Sequence, residues 1–246
     1  MIPKIIHWCW FGPAPLPPSV KKCTDSWKKF LPDYEFVRWN EKNFDCSAYP
    51  YTKEAWESGK FAFVSDVARL HALKTMGGIY MDTDVELLKP LDAFLGHCAF
   101  TGFERGEFLA TGLIGAQKGS AWVEEFLSLY RGLHFISEDG RPDLTPNVRR
   151  ITDYMVREHS LRTDNSFQEF PDLLTVYPGD YFSPLDSNTR KVRKTRNTVA
   201  IHHFMGSWEP RTPVTLFRKG VMRLFGEKAY AAIRSFKLKI FPKPWK

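Results

Sequence analysis

The sequence predicts an α/β protein, with a single mostly parallel central sheet flanked by helices and a basic helical tail at its end. Three observations carry that expectation. Strand-like apolar runs alternate with helix-period segments through the first half of the chain, the pattern of a parallel sheet covered by helices. A Gly77-Gly78 pair closes the strongest helical segment and leads directly into a short apolar strand that ends in two acids. The 246 residues, 43% hydrophobic and 15% aromatic, are enough for one substantial α/β domain and too few for two comfortable ones.

In chain order, residues 4–10 read as a strand that stops at Phe11-Gly12-Pro13. A Pro-rich loop and a helix over 19–31 follow, then a second strand over Tyr34–Trp39, rich in aromatic and β-branched residues. Residues 60–76 form the clearest helix, with Gly77-Gly78 as its stop signal. Ile79–Met81 is a short strand, strands over 98–103 and 109–116 come next, and helices follow near 120–131 and 146–158. Late strands fit Leu174–Tyr177 and Thr198–Phe204, and helical segments fill 213–240. The one clear shift of composition falls near residue 210, so the expected organisation is an α/β domain over 1–210 and a basic amphipathic tail over 211–246.

That shift is electrostatic. The net charge is +7, yet residues 211–246 hold ten Lys and Arg against the single acid Glu227, leaving 25 bases against 27 acids in residues 1–210. A near-neutral body offers no extended basic groove, which argues against nucleic acid, while the tail suits an anionic surface. Leu216, Phe217, Val221, Leu224 and Phe225 recur at helical spacing with Arg218, Lys219, Arg223 and Lys228 between them, the composition of an interfacial helix. The expected location is cytoplasmic, peripheral on the inner face of the membrane. The four cysteines are widely spaced, with no CxxC pair, which fits reduced thiols rather than a zinc site or disulfide framework. No segment reads as a signal peptide, and no uncharged apolar run approaches the roughly 18 residues of a membrane span.

Asp82 and Asp84 are the first candidates for chemistry. They follow the Ile79–Met81 strand, and the carboxyl edge of an open α/β sheet is where ligands bind. Residues two apart in extended backbone point the same way, so the two carboxylates can converge. Two carboxylates aimed at one point repel unless a cation lies between them, and hard oxygen ligands suit Mg²⁺ or Mn²⁺ bridging to substrate phosphates. The alternative is a solvated acidic turn. In the preceding helix, apolar residues cover nearly every side, which implies burial and makes Ser65, Asp66 and Arg69 costly unless partnered. Asp66 and Arg69, three apart, either pair with each other or bind a ligand.

The block Phe63-Val64-Ser65-Asp66-Val67-Ala68-Arg69-Leu70, followed by Gly77-Gly78-Ile79-Tyr80-Met81-Asp82-Thr83-Asp84, resembles glycosyltransferase family 32. These sugar transferases carry a DXD motif and include yeast-type mannosyltransferases and bacterial capsular polysaccharide enzymes. The opening Ile2-Pro3-Lys4-Ile5-Ile6-His7 is similar to that family's first strand. The similarity is good over residues 1–116, looser over 198–210, and leaves 117–197 unplaced. The resemblance implies a GT-A fold, a nucleotide-sugar donor, a divalent metal (usually Mn²⁺) and retention of anomeric configuration. It also implies that Asp84 ligates the metal directly and that Asp82 touches the ribose and the metal's shell. Ser65, Asp66 and Arg69 are then donor-binding candidates, with Asp66 and Arg69 counted among the catalytic residues beside the two aspartates. The same pattern occurs more distantly in the large clostridial glucosylating toxins, where a Trp ending the first strand stacks on uracil. Trp10 holds the matching place here, which favours a UDP-sugar, although an indole there can equally be a core aromatic.

Near the end of the domain, Ile201-His202-His203-Phe204-Met205-Gly206-Ser207-Trp208 fits the family's pattern of a His followed by Ser-Trp. Adjacent strand residues face opposite sides, so only one of the two histidines can reach the metal. His203 is the expected ligand, with Ser207 and Trp208 lining the diphosphate. Glu104, Glu107 and Thr111 are candidates for the acceptor side, or members of an ordinary charged loop. The expected reaction is metal-dependent, retaining transfer of a sugar from a nucleoside diphosphate to a glycan or lipid-linked acceptor. Two other classes share some of these features. A nucleotidyl- or phosphoryl-group enzyme would also use the Asp pair, and a non-catalytic membrane-associated binding protein would use the tail alone.

Overall fold

The computed structural model describes residues 1–187 and 189–205. The expected helical segments over 213–240, the tail, Ser207 and Trp208 lie outside the described residues. A mixed sheet has the strand order β2 (Glu35–Trp39), β1 (Ile5–Cys9), β3 (Gly78–Met81), β7 (Leu113–Ala116), β5 (Ala99–Glu104), β9 (Leu174–Tyr177), β8 (Gln168–Phe170), with the short β6 (Phe108–Leu109) hairpinned onto β5. Five of the seven strands on that path run the same way, with β7 and β8 reversed, so the central sheet is mostly parallel. A separate antiparallel pair joins β4 (Val85–Leu87) to β10 (Ala200–His202).

Helix α3 (Phe61–Met76) buries Phe63, Val64, Val67, Ala68, Arg69, Leu70, Ala72 and Leu73. It packs with α2 (Pro50–Glu57) and α4 (Ala121–Ser128). Their side chains share one hydrophobic cluster with Tyr80 and Ile114 of the sheet and with Ile151 and Met155 of α5 (Asn147–His159). The opposite face holds Ile79, Met81 and Leu113 together with Trp27 and Leu31, at the end of α1 (Pro18–Phe30). Residues 79–81 thus feed alternate sides of the sheet, as the period of two in extended backbone requires. Because both sides are covered, the strand reads as continuously apolar.

Several elements lie beyond what local pattern shows. Helix α2 and strands β4, β6 and β8 are short, and the expected strand over 109–116 is broken between β6 and β7. At the break, the Ala110 carbonyl turns away to accept from the Thr101 hydroxyl at 2.6 Å, and the Ala110 N–H donates to Gly102 O at 2.7 Å. That break places Thr111 and Gly112 at the carboxyl edge of β3.

Candidate functional site

Five chain segments meet at one edge of the sheet: the ends of β1, β3, β5 and β10 and the entry to β7. The approach to β3 depends on Gly78, whose φ is +108°. A Cβ there would lie 2.6 Å from the Ile5 carbonyl, so a side chain would force β3 away from β1. His7, fully buried in β1, holds the same turn. Its Nε2–H donates to Gly77 O at 2.8 Å, while Nδ1 accepts from the Trp39 indole at 3.1 Å. Burial drives the His7 pKa below its ordinary value, so the ring is neutral and structural.

Asp82 leaves β3 with its N–H on Gly112 O at 2.8 Å, and its Oδ1 accepts from the Tyr80 hydroxyl at 2.8 Å. Asp84 Oδ2 accepts from the Met205 N–H at 2.8 Å, and its carbonyl from the His203 N–H at 3.0 Å. Backbone from the end of the domain is therefore pinned to the second acid. The imidazole that enters between the carboxylates belongs to His202, with Nε2 3.3 Å from Asp84 Oδ1 and 3.9 Å from Asp82 Oδ2. Ligand atoms of Asp82, Asp84 and His202 all lie within 4.8 Å of one another. The expectation of His203 is corrected by strand geometry: it points to the other side, with Nε2 2.8 Å from Glu86 Oε2, beside Lys22. Register decides this, because Ile201 pairs with Glu86, so that His203, two residues on, shares the Glu86 face and His202 takes the other.

Two carboxylates and an imidazole form a donor set that Mn²⁺ accepts and Mg²⁺ tolerates. The surrounding shape fits such an ion. A Cβ on Gly112 would stand 2.9 Å from His202 Cε1 and 3.1 Å from Asp82 Oδ2, so only a glycine leaves this floor open. The groups of the site also compensate one another. Burial opposes charge on Asp84, but the adjacent His202 ring and the Met205 N–H outweigh it and hold the carboxyl below its usual range. Burial likewise opposes a charged His202, yet Asp84 and Glu104 raise its pKa well above the ordinary histidine value.

Arg69 is locked in place from α3. Its Nη1 donates to Thr111 O at 2.6 Å, Nη2 to Asp66 Oδ1 at 3.0 Å and Nε to Ser65 O at 3.2 Å. The guanidinium also covers the Tyr80 ring at 4.6 Å and stands 3.5 Å from Asp82 Oδ1. Asp66 and Arg69 therefore do pair, within a network that also reaches the acid pair. Burial lifts the Asp66 pKa to about 6, against the opposing pull of Arg69. Asn147, at the start of α5, donates to Asp66 Oδ1 at 3.0 Å and is itself buried. Nothing local in the sequence marks it, since an Asn after a Pro at a helix start is ordinary.

The remaining candidates divide. Trp10 is half-buried just past β1, with its indole N–H donating to Ala14 O at 2.7 Å. The Ser65 hydroxyl donates back along its own helix to Phe61 O at 3.0 Å. Thr111 is buried and offers its carbonyl to Arg69. Glu107 is exposed in the β5–β6 hairpin, whereas Glu104, in the same hairpin, is 4% exposed and faces His202.

Residues 17–101 match the family described as the glycosyltransferase sugar-binding region containing the DXD motif, and they include Asp66, Arg69, Asp82 and Asp84. Inositol phosphoceramide mannosyltransferase 3 of Schizosaccharomyces pombe is 31% identical over 129 residues, 50% of this chain and 35% of its own length. Mannosyl phosphorylinositol ceramide synthase SUR1 of Saccharomyces cerevisiae is 29% identical over 104 residues, 41% of this chain and 27% of its own. The chain thus spans about a third of these curated relatives. Among solved structures, the PaToxG glycosyltransferase superposes with a TM-score of 0.48 at 18% identity, covering 64% of this chain and 69% of that one.

Proposed function

We propose that the protein is a metal-dependent glycosyltransferase that moves a sugar from a nucleoside-diphosphate donor to a glycan or lipid-linked acceptor, with retained configuration. The observation that carries this reading is the convergence of Asp82, Asp84 and His202 at the carboxyl edge of the sheet, within a sugar-binding region of the DXD family. Asp82, Asp84 and His202 would hold Mn²⁺ or Mg²⁺. Such a cation, when bound, neutralises the charge that develops on a departing diphosphate.

The chain's own residues prepare that step. Arg69, fixed by three hydrogen bonds, supplies a rigid positive charge beside the acid pair and needs no reorganisation as charge builds. Asp66 accepts from donor hydroxyls, and the half-buried Trp10 supplies a stacking face for the base, which favours a UDP-linked sugar. Glu107 lies on the acceptor side, with Thr111 supporting that wall. The relatives named for inositol phosphoceramide mannosyl transfer support a lipid-linked acceptor. Among the described residues no helix is long and apolar enough to cross a membrane. The basic segment 211–246 is the part that would hold the domain, residues 1–210, against an anionic cytoplasmic face.

Calorimetric titration of wild type and Asp84→Asn with UDP, GDP and their sugar conjugates, with and without Mn²⁺, tests the reading. Wild type should bind a nucleotide in a Mn²⁺-dependent manner, and Asp84→Asn should lose that dependence while keeping its circular dichroism spectrum. Near-normal Mn²⁺-dependent binding by Asp84→Asn would overturn the assignment.

A further inference from the structure

The buried carboxylate of Glu104 has no role in the reading above. Its side chain is 6% exposed, and a carboxylate taken that far from water is costly without a partner. Among the described residues its Oε2 has no hydrogen-bond partner, and neither has His202 Nδ1. These two orphaned atoms stand 3.6 Å apart, facing each other.

Elsewhere the ring is tightly confined. Phe204 lies against one face, with centroids 4.1 Å apart and planes 36° apart, and Gly112 leaves no space beyond van der Waals contact on another side. These contacts set the plane of the imidazole but cannot tell one nitrogen from the other, because apolar and glycine contacts carry no polarity. A half-turn of the ring would exchange its edges, and only polar neighbours can choose between them. On one edge are Asp82 and Asp84, and on the other is Glu104.

We infer that Glu104 is a positioning residue that fixes the edge and tautomer of His202: it accepts the Nδ1–H, so that the lone pair of Nε2 is presented to a divalent cation held with Asp82 and Asp84. The inference rests on the proposed metal site and names a residue outside its ligand set. The chemistry is general. A metal-bound imidazole must carry its proton on the other nitrogen, and a carboxylate accepting that proton orients the ring and strengthens the ligand. Glu104 is well placed for this duty because it is not on a free loop. It ends β5 and is paired with Phe108 in the β5–β6 hairpin, so its backbone is fixed by the sheet that also carries Asp82. The site would then be assembled from three separate strand ends, β3, β5 and β10.

The test is Mn²⁺ binding, read by loss of the free-ion electron paramagnetic resonance signal, with Mn²⁺ alone and with UDP present. Outer partners of metal-bound histidines typically contribute a factor of about 10–100 in affinity, so Glu104→Ala should weaken Mn²⁺ binding by about that factor. Glu104→Gln keeps an acceptor oxygen without the charge and should lose less. The decisive comparison is in a His202→Ala background, where adding Glu104→Ala should change affinity by less than about twofold, because the ring it acts through is gone. If Glu104→Ala does not fold, as judged by thermal melting, the near-isosteric Glu104→Gln is carried through the same cycle. Wild-type affinity in the Glu104 variants would overturn the inference alone. An equal loss with and without His202 would overturn it too, and would make Glu104 a group acting directly on the ion. Failure of wild type to bind Mn²⁺ would overturn both this inference and the proposed metal site.

Discussion

His7 and His202 are both enclosed by protein, yet their surroundings push the two rings in opposite directions. His202 sits among carboxylates and is drawn toward the charged form. His7 hydrogen-bonds an indole N–H and a backbone carbonyl, and burial depresses its pKa below the ordinary 6.5 against the weaker pull of the Gly77 carbonyl and the Glu35 charge. For a group with a depressed folded pKa, the unfolded chain takes up a proton before the folded one does. The stability His7 confers is then complete above about pH 6.5 and falls as pH drops below that value. Urea unfolding at pH 7.5, 6.5 and 5.5 should show wild type losing stability on acidification more steeply than His7→Gln, which cannot titrate. Equal slopes in the two proteins would mean that His7 is not the neutral buried ring described here.

At the scale of elements, α3 is held to the sheet by more than its apolar face. The Arg69 guanidinium spans from Asp66 on its own helix to the Thr111 carbonyl at the entry to β7. Both side chains of the ion pair are largely withdrawn from water, at 6% for Arg69 and 13% for Asp66. Removing one member of such a pair leaves the other charge buried alone, which typically costs about 3–5 kcal/mol, whereas removing both costs less. Arg69→Met should therefore lower unfolding free energy by about 3–5 kcal/mol, and Asp66→Asn with Arg69→Met by clearly less. The folded double variant should still fail to bind the nucleotide-sugar in calorimetry if the pair also serves the donor. A stable double variant with intact donor binding would confine the pair to architecture.

At the scale of the whole molecule, charge is divided between a near-neutral domain and a basic terminal segment of ten bases and one acid. Each base close to an anionic surface contributes roughly 1 kcal/mol, so engagement of even half of them would hold the protein to such a membrane. In co-sedimentation with phosphatidylserine-containing vesicles, the full chain should pellet at low salt and release at high salt. A chain ending at Arg211 should remain in solution. Equal sedimentation of both, or indifference to anionic lipid, would remove the docking role.

The α/β class, most elements of the central sheet, the buried helix and the acid pair were legible in the sequence, because each depends on short-range pattern. Periodicity reports burial, glycines report tight turns, and Asp82 and Asp84 are carried by one strand end. The family match over residues 17–101 falls on the same stretch, where the chemistry is written contiguously. What only the tertiary structure decided is everything that depends on register between distant segments. The pairing of Ile201 with Glu86 puts His203 on the Glu86 face and leaves His202 to the acids. The break before β7 delivers Gly112 and the Thr111 carbonyl to the site, α5 brings Asn147 to Asp66, and the β5–β6 hairpin buries Glu104 against an imidazole from another sheet. A strand's alternation says that two neighbours face opposite ways but not which way either faces. That choice belongs to the partner strand, and here the partner begins one residue after the second acid.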